Sequence, residues 1–240
     1  MTELIKAKVS ELLANQTADR VLGWKKGEFF YDETPAVFQA EELDDLVYDG
    51  FSAPNLSKYL IKESKKEGKV IALLKPCDTY SFNQLIMEHR INRDNVYVVG
   101  VPCRGNLDIN KIREKGIKGI QSIKEQGDEL IIETIYGTKT LPREEVILDR
   151  CLCCKGSQHM VADEVIESAE PAWEAKTDRF EMVTKLENMT SDERFAFWRG
   201  ELSKCIRCNA CRNVCPACSC LQCVFDDPAS KVQAKSNADD

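Results

Sequence analysis

The chain has 240 residues, 43% hydrophobic and 30% charged, an ordinary composition for one sizeable globular domain or a domain with a small appendage. No run approaches the roughly 18 apolar residues of a transmembrane helix. The first residues lack the apolar core of a signal peptide, so we expect a cytoplasmic protein without membrane insertion. The net charge of −7 argues against nucleic acid or an anionic membrane as the main partner, because phosphate binding needs a basic surface.

The N-terminal third is predicted to contain two helices and a hairpin. Residues 2–13 form the first helix, and its apolar face comprises Leu4, Ile5, Val9, Leu12 and Leu13. Residues 20–31 are typical of a hairpin that turns at Lys25-Lys26-Gly27, with Glu28–Tyr31 as its second strand. Asn55 is expected to cap a helix that ends at Gly68.

Strands and helices then alternate along the chain. Val70–Leu74 and Val96–Val101 are short apolar runs, typical of buried parallel strands. A helix capped by Asp78 or Thr79 is predicted between them, and a short helix is predicted at Ile109–Gly116. Ile120–Tyr136 is expected to form another hairpin. The predicted fold class is therefore an α/β or α+β body with parallel βα units and hairpins.

Cysteine is unusually abundant, with 12 residues against two histidines, His89 and His159. In a chain without a secretory signal these thiols are expected to stay reduced and to serve as soft-metal ligands. Scarce histidine favours all-thiolate sites, either iron–sulfur clusters or zinc held by four cysteines.

The distribution of the cysteines suggests the domain organisation. We predict an iron–sulfur and flavin-binding α/β body at 1–167, a linker at 168–188, a small C-terminal ferredoxin-like module at 189–225 and a disordered tail at 226–240. The linker contains Pro171 and has poor apolar periodicity. Thr190 and Glu193 fit a capping box at the start of the helix that leads into the module.

The module carries the most specific motif. Its pattern is Cys-x-x-Cys-x-x-Cys-x-x-x-Cys-Pro, the run of bacterial ferredoxins, which predicts a 4Fe–4S cluster held by Cys205, Cys208, Cys211 and Cys215. A four-cysteine zinc site and buried thiols are the alternatives.

The fourth ligand of that cluster stays open. In two-cluster ferredoxins the last cysteine of a run binds the other cluster. Cys218, Cys220 and Cys223 follow at once, so one of them is an alternative fourth ligand. Seven cysteines cannot complete two four-thiolate clusters without a ligand from the body, such as Cys153, and we favour one cluster in the module.

A second site is predicted in the body. Cys77 and Cys103 each follow an apolar run at the expected carboxyl end of a parallel strand, where open α/β sheets bind ligands. If the two strands are neighbours, both cysteines face one site, which the knot of Cys151, Cys153 and Cys154 completes. The alternative is that Cys77 and Cys103 are small buried hydrophobic residues.

These motifs resemble a known family. Lys-Pro-Cys-Asp after one strand, Gly-Val-Pro-Cys after the next, and the Cys-x-x-Cys of Cys151 and Cys154 are similar to the beta subunits of coenzyme-reducing hydrogenases and formate dehydrogenases. The resemblance covers roughly residues 55–154 and 205–223. It implies a 4Fe–4S cluster on Cys77, Cys103, Cys151 and Cys154, with Cys153 as the competing choice, and a flavin such as FAD. Two clusters are expected in all, with three as the alternative.

The resemblance also implies a function. Such subunits pass electrons between a catalytic subunit, a flavin and a soluble carrier, which in methanogens is a deazaflavin, within anaerobic oxidoreductase complexes. The implied partners are a catalytic molybdenum, tungsten or nickel–iron subunit, or a heterodisulfide-reductase-like or other flavin subunit. The chain has no Gly-x-Gly-x-x-Gly fingerprint, so the flavin is implied by the resemblance alone.

Charged residues beside the cysteines are the predicted cofactor contacts, and the cations among them would stabilise an anionic cluster. They are Lys75, Asp78 and Arg104, and solvated surface charge is the alternative role. His159 is a ligand, a proton carrier or a structural residue. No catalytic arrangement is recognised, and two rival functions remain: a free-standing flavin oxidoreductase acting on its own soluble carrier, and a cysteine-rich zinc protein that serves as an interaction module.

Overall fold

The chain is described from a computed structural model that covers residues 1–156, 158–168, 174–175, 177–206, 208–220, 223–224 and 229. It divides into two compact units, Met1–Lys176 and Thr177–Asp240. The boundary falls inside the range predicted as a linker, whereas the other predicted boundaries stay predictions. The predicted disordered tail, 226–240, lies outside the described residues apart from Ala229.

The described part of the first unit contains nine strands and five α-helices. The strands are β1 (Arg20–Lys26), β2 (Glu33–Phe38), β3 (Leu46–Val47), β4 (Val70–Leu74), β5 (Val96–Gly100), β6 (Ile120–Gln126), β7 (Glu129–Thr134), β8 (Gly137–Pro142) and β9 (Glu164–Val165). The helices are α1 (Thr2–Ala14), α2 (Leu60–Glu63), α3 (Pro76–Met87), α4 (Ile109–Glu114) and α5 (Asp149–Leu152).

The main sheet is mixed. Its order is β2-β1-β4-β5-β9, with β3 paired to β1. Strands β1, β4, β5 and β9 run parallel, whereas β2 and β3 are antiparallel to β1. All five residues of β4 are buried, as the continuous apolar sequence of a central parallel strand requires. The predicted α/β architecture with parallel strands and antiparallel hairpins is therefore confirmed.

Two hydrophobic cores stabilise this unit. The larger core surrounds the main sheet and includes Ile5, Val9 and Leu12 from α1. A smaller core lies under the antiparallel sheet β6-β7-β8 and centres on Leu130 and Ile132 of β7. Leu4 was predicted on the buried face of α1, but it is exposed.

The predicted N-terminal hairpin is wrong in its second strand. Glu28–Tyr31 is a turn and bend, and β1 pairs instead with Glu33–Phe38. The aromatic side chains of Phe30 and Tyr31 pack on the smaller core rather than alternating across a sheet. Pro35 lies within β2, which is tolerated because this strand is at the sheet edge and needs no second ladder.

Two predicted helices begin or end elsewhere. Helix α3 begins at Pro76 with Lys75 as its N-cap, not at Asp78 or Thr79, and the backbone N–H of Lys75 donates to Asp78 Oδ2 over 3.3 Å. Proline at the first helical position lacks an N–H that would have no partner there. After Asn55, a 3₁₀ helix at Ser57–Tyr59 runs into α2, which ends well before Gly68.

The second unit contains three helices among its described residues: α6 (Glu181–Glu187), α7 (Ser191–Leu202) and α8 (Ala210–Val214). The predicted capping box of Thr190 and Glu193 is confirmed at the start of α7. Helix α6 was not predicted and lies within the range assigned to the linker. In the described part of the chain no helix has the length and apolar character needed to cross a membrane.

Candidate functional site

The carboxyl ends of β4 and β5 bring two of the predicted cysteine ligands together. The strands pair in parallel with Leu74 opposite Gly100, and the chain reaches Cys77 and Cys103 shortly after these residues. Both cysteines line one cavity of about 270 Å³, here called the cysteine cavity. Neighbouring parallel strands thus place the two thiols at the same sheet edge.

Two further cysteines complete the cysteine cavity. Cys151 in α5 and Cys154 just beyond that helix both line it. The backbone N–H of Asn106 donates to Cys151 Sγ over 3.3 Å, and the N–H of Gly156 donates to Cys154 Sγ over the same distance. Hydrogen bonds to sulfur stabilise thiolate ligands. Four cysteines from three separate chain segments therefore surround one space.

Gly156 allows the close packing of this edge. A Cβ at this position would lie 3.2 Å from the backbone nitrogen of Cys77 and 3.4 Å from Cys154 Sγ. Both separations are tight for a methyl group. Glycine at 156 therefore lets the chain after Cys154 approach the first turn of α3.

Cys153 does not line the cysteine cavity. Its Sγ lies 3.7 Å from the carbonyl oxygen of Asp149 and 3.8 Å from that of Arg150, so the thiol packs along its own short helix. Of the two candidates in the knot, the structure brings Cys154 to the cavity and leaves Cys153 beside it.

A buried ion pair forms part of the cavity wall. Lys75 Nζ donates to the carbonyl oxygens of Ser52 (2.7 Å) and Pro54 (3.0 Å) and lies 3.3 Å from Asp78 Oδ2. It also lies 4.2 Å from the ring centroid of Trp24. Lys75 and Asp78 are each only 1% exposed, so this pair is part of the interior rather than solvated surface charge.

Burial controls the protonation of the cavity cysteines. The Cys77 side chain is open to the cavity, but many protein atoms surround it. The resulting desolvation, together with the negative charge of Asp78, raises the pKa of the Cys77 thiol well above its usual range. Burial likewise raises the pKa of Cys103, against the opposing effect of the Lys75 ammonium. These thiols stay protonated unless a bound cationic group stabilises the thiolates.

A larger cavity of about 670 Å³ adjoins the cysteine cavity, and Cys103, Gly105 and Asn106 line both. Its volume lies within the range of roughly 300–1,000 Å³ that is usual for cofactor sites. Arg143, which is buried, holds its wall by donating to the carbonyl oxygen of Gly105 (2.6 Å) and to Glu125 Oε2 (2.7 Å).

Arg104 lines this larger cavity rather than the cysteine cavity. Its guanidinium donates to Asp128 Oδ1 over 2.6 Å and to the carbonyl oxygen of Gly127 over 3.0 Å. The predicted cofactor contacts are therefore divided, with Lys75 and Asp78 at one cavity and Arg104 at the other.

Comparison with known proteins gives no matching family model. The curated proteins that match nearly the whole chain include the following two. The F420-dependent formate dehydrogenase subunit beta of Methanocaldococcus jannaschii is 24% identical over 90% of this chain and 72% of its own length. The F420-dependent formate dehydrogenase 1 subunit beta of Methanococcus maripaludis is 24% identical over 89% of this chain and 71% of its own length.

These two relatives confirm the resemblance to the beta-subunit family. A chain of the F420-reducing [NiFe] hydrogenase complex from Methanosarcina barkeri is also similar, with 16% identity and a TM-score of 0.49 over 62% of this chain. The match spans 58% of that solved chain, so this chain corresponds to less than two thirds of it.

The beta-subunit resemblance implied one ligand set in the body, and the structure brings its four members to the cysteine cavity. Among the described residues, no group of three or more His, Cys, Asp or Glu side chains is arranged to hold a single metal ion. A four-iron cubane is much larger than one ion and separates its thiolates further. A donor set of four cysteines around a cavity of about 270 Å³ fits a 4Fe–4S cluster.

The C-terminal cysteines lie in the second unit. Cys205, Cys208, Cys211 and Cys215 are exposed; Cys211 lies in α8, and Cys215 N–H donates to Cys211 O over 3.1 Å. Cys218, Cys220 and Cys223 follow, with Cys218 and Cys223 partly buried. Arg207 and residues 221–222 and 225–228 lie outside the described residues. The ferredoxin-like cluster of this unit stays a prediction.

Several contributors to the site were not predicted. Asn106 and Gly156 supply backbone N–H groups to sulfur, and the glycine two residues after the cysteine knot was the available signal. Burial, helped by the charge of Asp49, raises the pKa of the Glu33 carboxyl, and Asp49 lines the larger cavity. Nothing in their sequence spacing indicates this pair.

Proposed function

We propose that this protein is an iron–sulfur and flavin-containing electron-transfer subunit of a multi-subunit anaerobic oxidoreductase. It passes electrons between a catalytic subunit and a flavin or soluble carrier. The observation that carries the proposal is the convergence of four cysteines on one cavity that adjoins a second cavity large enough for an organic cofactor.

The cysteine cavity would hold a 4Fe–4S cluster on Cys77, Cys103, Cys151 and Cys154. The donor set is entirely thiol, and two of the sulfurs already accept backbone N–H groups. The cluster supplies reversible one-electron transfer when bound. Lys75 places a fixed positive charge beside it, and such second-layer groups tune the potential of a metal site.

The larger cavity is the proposed site of the flavin. It shares Cys103 with the cysteine cavity, so a flavin there would be separated from the cluster by little more than one ligand. Arg143 and Arg104 fix its walls through backbone carbonyls and carboxylates. These residues shape the pocket and provide positive charge near a phosphate-bearing ligand.

The second unit would supply a further cluster through the run Cys205 to Cys215. The alternative fourth ligands are Cys218, Cys220 and Cys223. The curated relatives are named as subunits of F420-dependent formate dehydrogenases. By that similarity, the partners proposed here are other subunits of an oxidoreductase complex, a catalytic molybdenum, tungsten or nickel–iron subunit or another flavin subunit. An electron carrier needs both a donor and an acceptor.

Anaerobic purification with the natural partners, followed by iron, sulfide and flavin analysis, tests the proposal. Cys154→Ala is compared with its matched control Cys153→Ala. We expect Cys154→Ala to lose one cluster and Cys153→Ala to retain it, because Cys154 lines the cysteine cavity and Cys153 does not. Equal iron content in the two variants would contradict the cluster assignment.

The same analysis separates the rival functions. Stoichiometric zinc without iron would identify a zinc interaction protein. Bound flavin together with reduction of a soluble carrier by the isolated chain would identify a free-standing oxidoreductase. Iron and sulfide in the chain, with electron transfer only in the assembled complex, supports the subunit proposed here.

A further inference from the structure

The hydrogen-bond ladder between β4 and β5 stops where the two cysteine-bearing loops separate. Its last backbone bond runs from Val101 N–H to Leu74 O over 2.9 Å. In a regular parallel ladder the next bond would run from the N–H of residue 76 to the carbonyl oxygen of Val101. Residue 76 is proline, which has no N–H, so this bond cannot form.

His159 supplies a donor at this position. Its Nε2 lies 3.1 Å from Val101 O and 3.2 Å from Leu74 O. Because both partners are acceptors, Nε2 carries a proton. Burial lowers the pKa of His159 below its usual value, so the ring is the neutral Nε2–H tautomer. The imidazole thus replaces the backbone donor that Pro76 lacks.

The surrounding chain is shaped to seat this ring. A Cβ on Gly100 would lie 2.9 Å from His159 Cδ2 and Nε2, so glycine leaves the space that the imidazole fills. The next residue, Met160, donates its N–H to Thr79 Oγ1 over 2.9 Å. Thr79 lies in the first turn of α3, two residues after Cys77. The ring and its neighbour therefore connect both strand ends to the helix that bears Cys77.

We propose that His159 is a positioning residue that holds Cys77 and Cys103 at the separation the cysteine cavity requires. The inference rests on the cluster of the proposed function. Cys77 directly follows Pro76, and Cys103 is two residues beyond Val101, so a displacement at the shared hydrogen bonds passes directly to the two thiols. His159 does not line the cysteine cavity and acts through the strand ends rather than as a ligand.

Three substitutions separate a donor role from simple packing. His159→Gln places an amide N–H near the position of Nε2, whereas His159→Leu fills similar volume without a donor. His89→Gln is the matched control, because His89 is the other histidine and is exposed. Each substitution is made in the full-length chain, which is purified anaerobically. The native and the Cys208→Ser backgrounds are both used, and the second background isolates the cluster of the first unit. His159→Asn, whose amide is too short to reach both carbonyls, replaces the leucine variant if that variant does not fold.

The measurements are the rate of iron release to a chelator and the electron paramagnetic resonance spectrum of the reduced protein. Loss of an outer ligand-orienting partner typically weakens a metal site by about 10–100-fold, so we expect His159→Leu to release iron faster by about that factor, with an altered spectrum. His159→Gln and His89→Gln should behave like the native chain.

Two results would overturn the inference. If native, Gln and Leu forms release iron at the same rate with the same spectrum, the donor does not position the cysteines. If Gln and Leu are equally impaired, the imidazole matters by its shape. If the Cys208→Ser variant that retains His159 contains no iron, the proposed cluster itself is refuted, and with it the role given to His159.

Discussion

Replacing Lys75 with methionine would remove the buried cation beside the cysteine cavity. The ammonium donates to Ser52 O and Pro54 O and pairs with Asp78 Oδ2 at 3.3 Å. Methionine fills the space of the aliphatic stem but brings neither charge nor donor. The Asp78 carboxylate would then stay in the interior without its counter-charge.

The structure sets the size of the effect. Removing one partner of a buried ion pair costs about 3–5 kcal/mol, because the other charge is left uncompensated. Asp78→Asn leaves the ammonium with its two carbonyl acceptors and the face of Trp24, so we expect a smaller loss of about 1–3 kcal/mol. The double variant should lose less than the sum of the two single losses, by about 0.5–3 kcal/mol.

Urea unfolding of the cofactor-free, full-length chain, followed by circular dichroism, measures these differences in the free energy of unfolding. Lys65→Met is the control, because Lys65 is exposed and its loss should change stability by less than about 0.5 kcal/mol. A loss below about 1 kcal/mol for Lys75→Met, or strict additivity in the double variant, would refute the argument that the pair is coupled in the interior.

Four other predictions concern the two cysteine sites, Glu33 and the second unit. Cys77→Ala should remove a cluster even from a chain ending at Lys176, because the first unit holds all four cavity cysteines; absence of iron from the truncated parent would contradict this. Cys208→Ser should remove or weaken the C-terminal cluster while the first unit stays folded, and unchanged iron content and visible spectrum would refute the ferredoxin-run assignment. Burial raises the pKa of Glu33 from 4.5 to about 8, so the folded chain keeps a proton that the unfolded chain releases. The stability that this proton gives is present in full below the pKa of Glu33 in the unfolded chain. It is lost as the pH rises to and through the pKa of Glu33 in the folded chain, by up to about 1.4 kcal/mol per pH unit. Glu33→Gln should flatten this pH dependence of the free energy of unfolding in urea titrations. Amide hydrogen exchange across 195–225 is expected to slow when the chain joins its partner subunits, whereas equal protection in both states would indicate docking onto its own domain.

The central strands were predictable because burial on both faces leaves a direct mark on the sequence. Val70–Leu74 is apolar throughout and is a fully buried strand, and the cysteine after it falls at the sheet edge where the spacing placed it. The edge strand β2 was missed because its burial is partial and Pro35 argues against a strand unless its position at an edge is known.

Side-chain roles depended on tertiary contacts that spacing does not encode. Cys153 and Cys154 are equivalent as ligands in the sequence, and only the short helix α5 turns one to the cavity and the other along its own backbone. The role of His159 follows from a ladder that Pro76 interrupts, and the register of β4 against β5 must be known before that gap is visible. Lys75 was named beside the cluster, but its burial against Trp24 had no sequence signal.

The separation of the cavity cysteines along the chain has a consequence for maturation. Cys77, Cys103 and the pair Cys151 and Cys154 meet only when β4, β5 and α5 are in place, so a cofactor in their cavity binds a folded first unit and adds its binding free energy to the stability of that unit. The run Cys205 to Cys215 is contiguous, and its thiolates can converge after local ordering alone. We therefore expect opposite orders of assembly in one polypeptide: the fold precedes the cofactor in the first unit, and the cofactor organises the chain in the second.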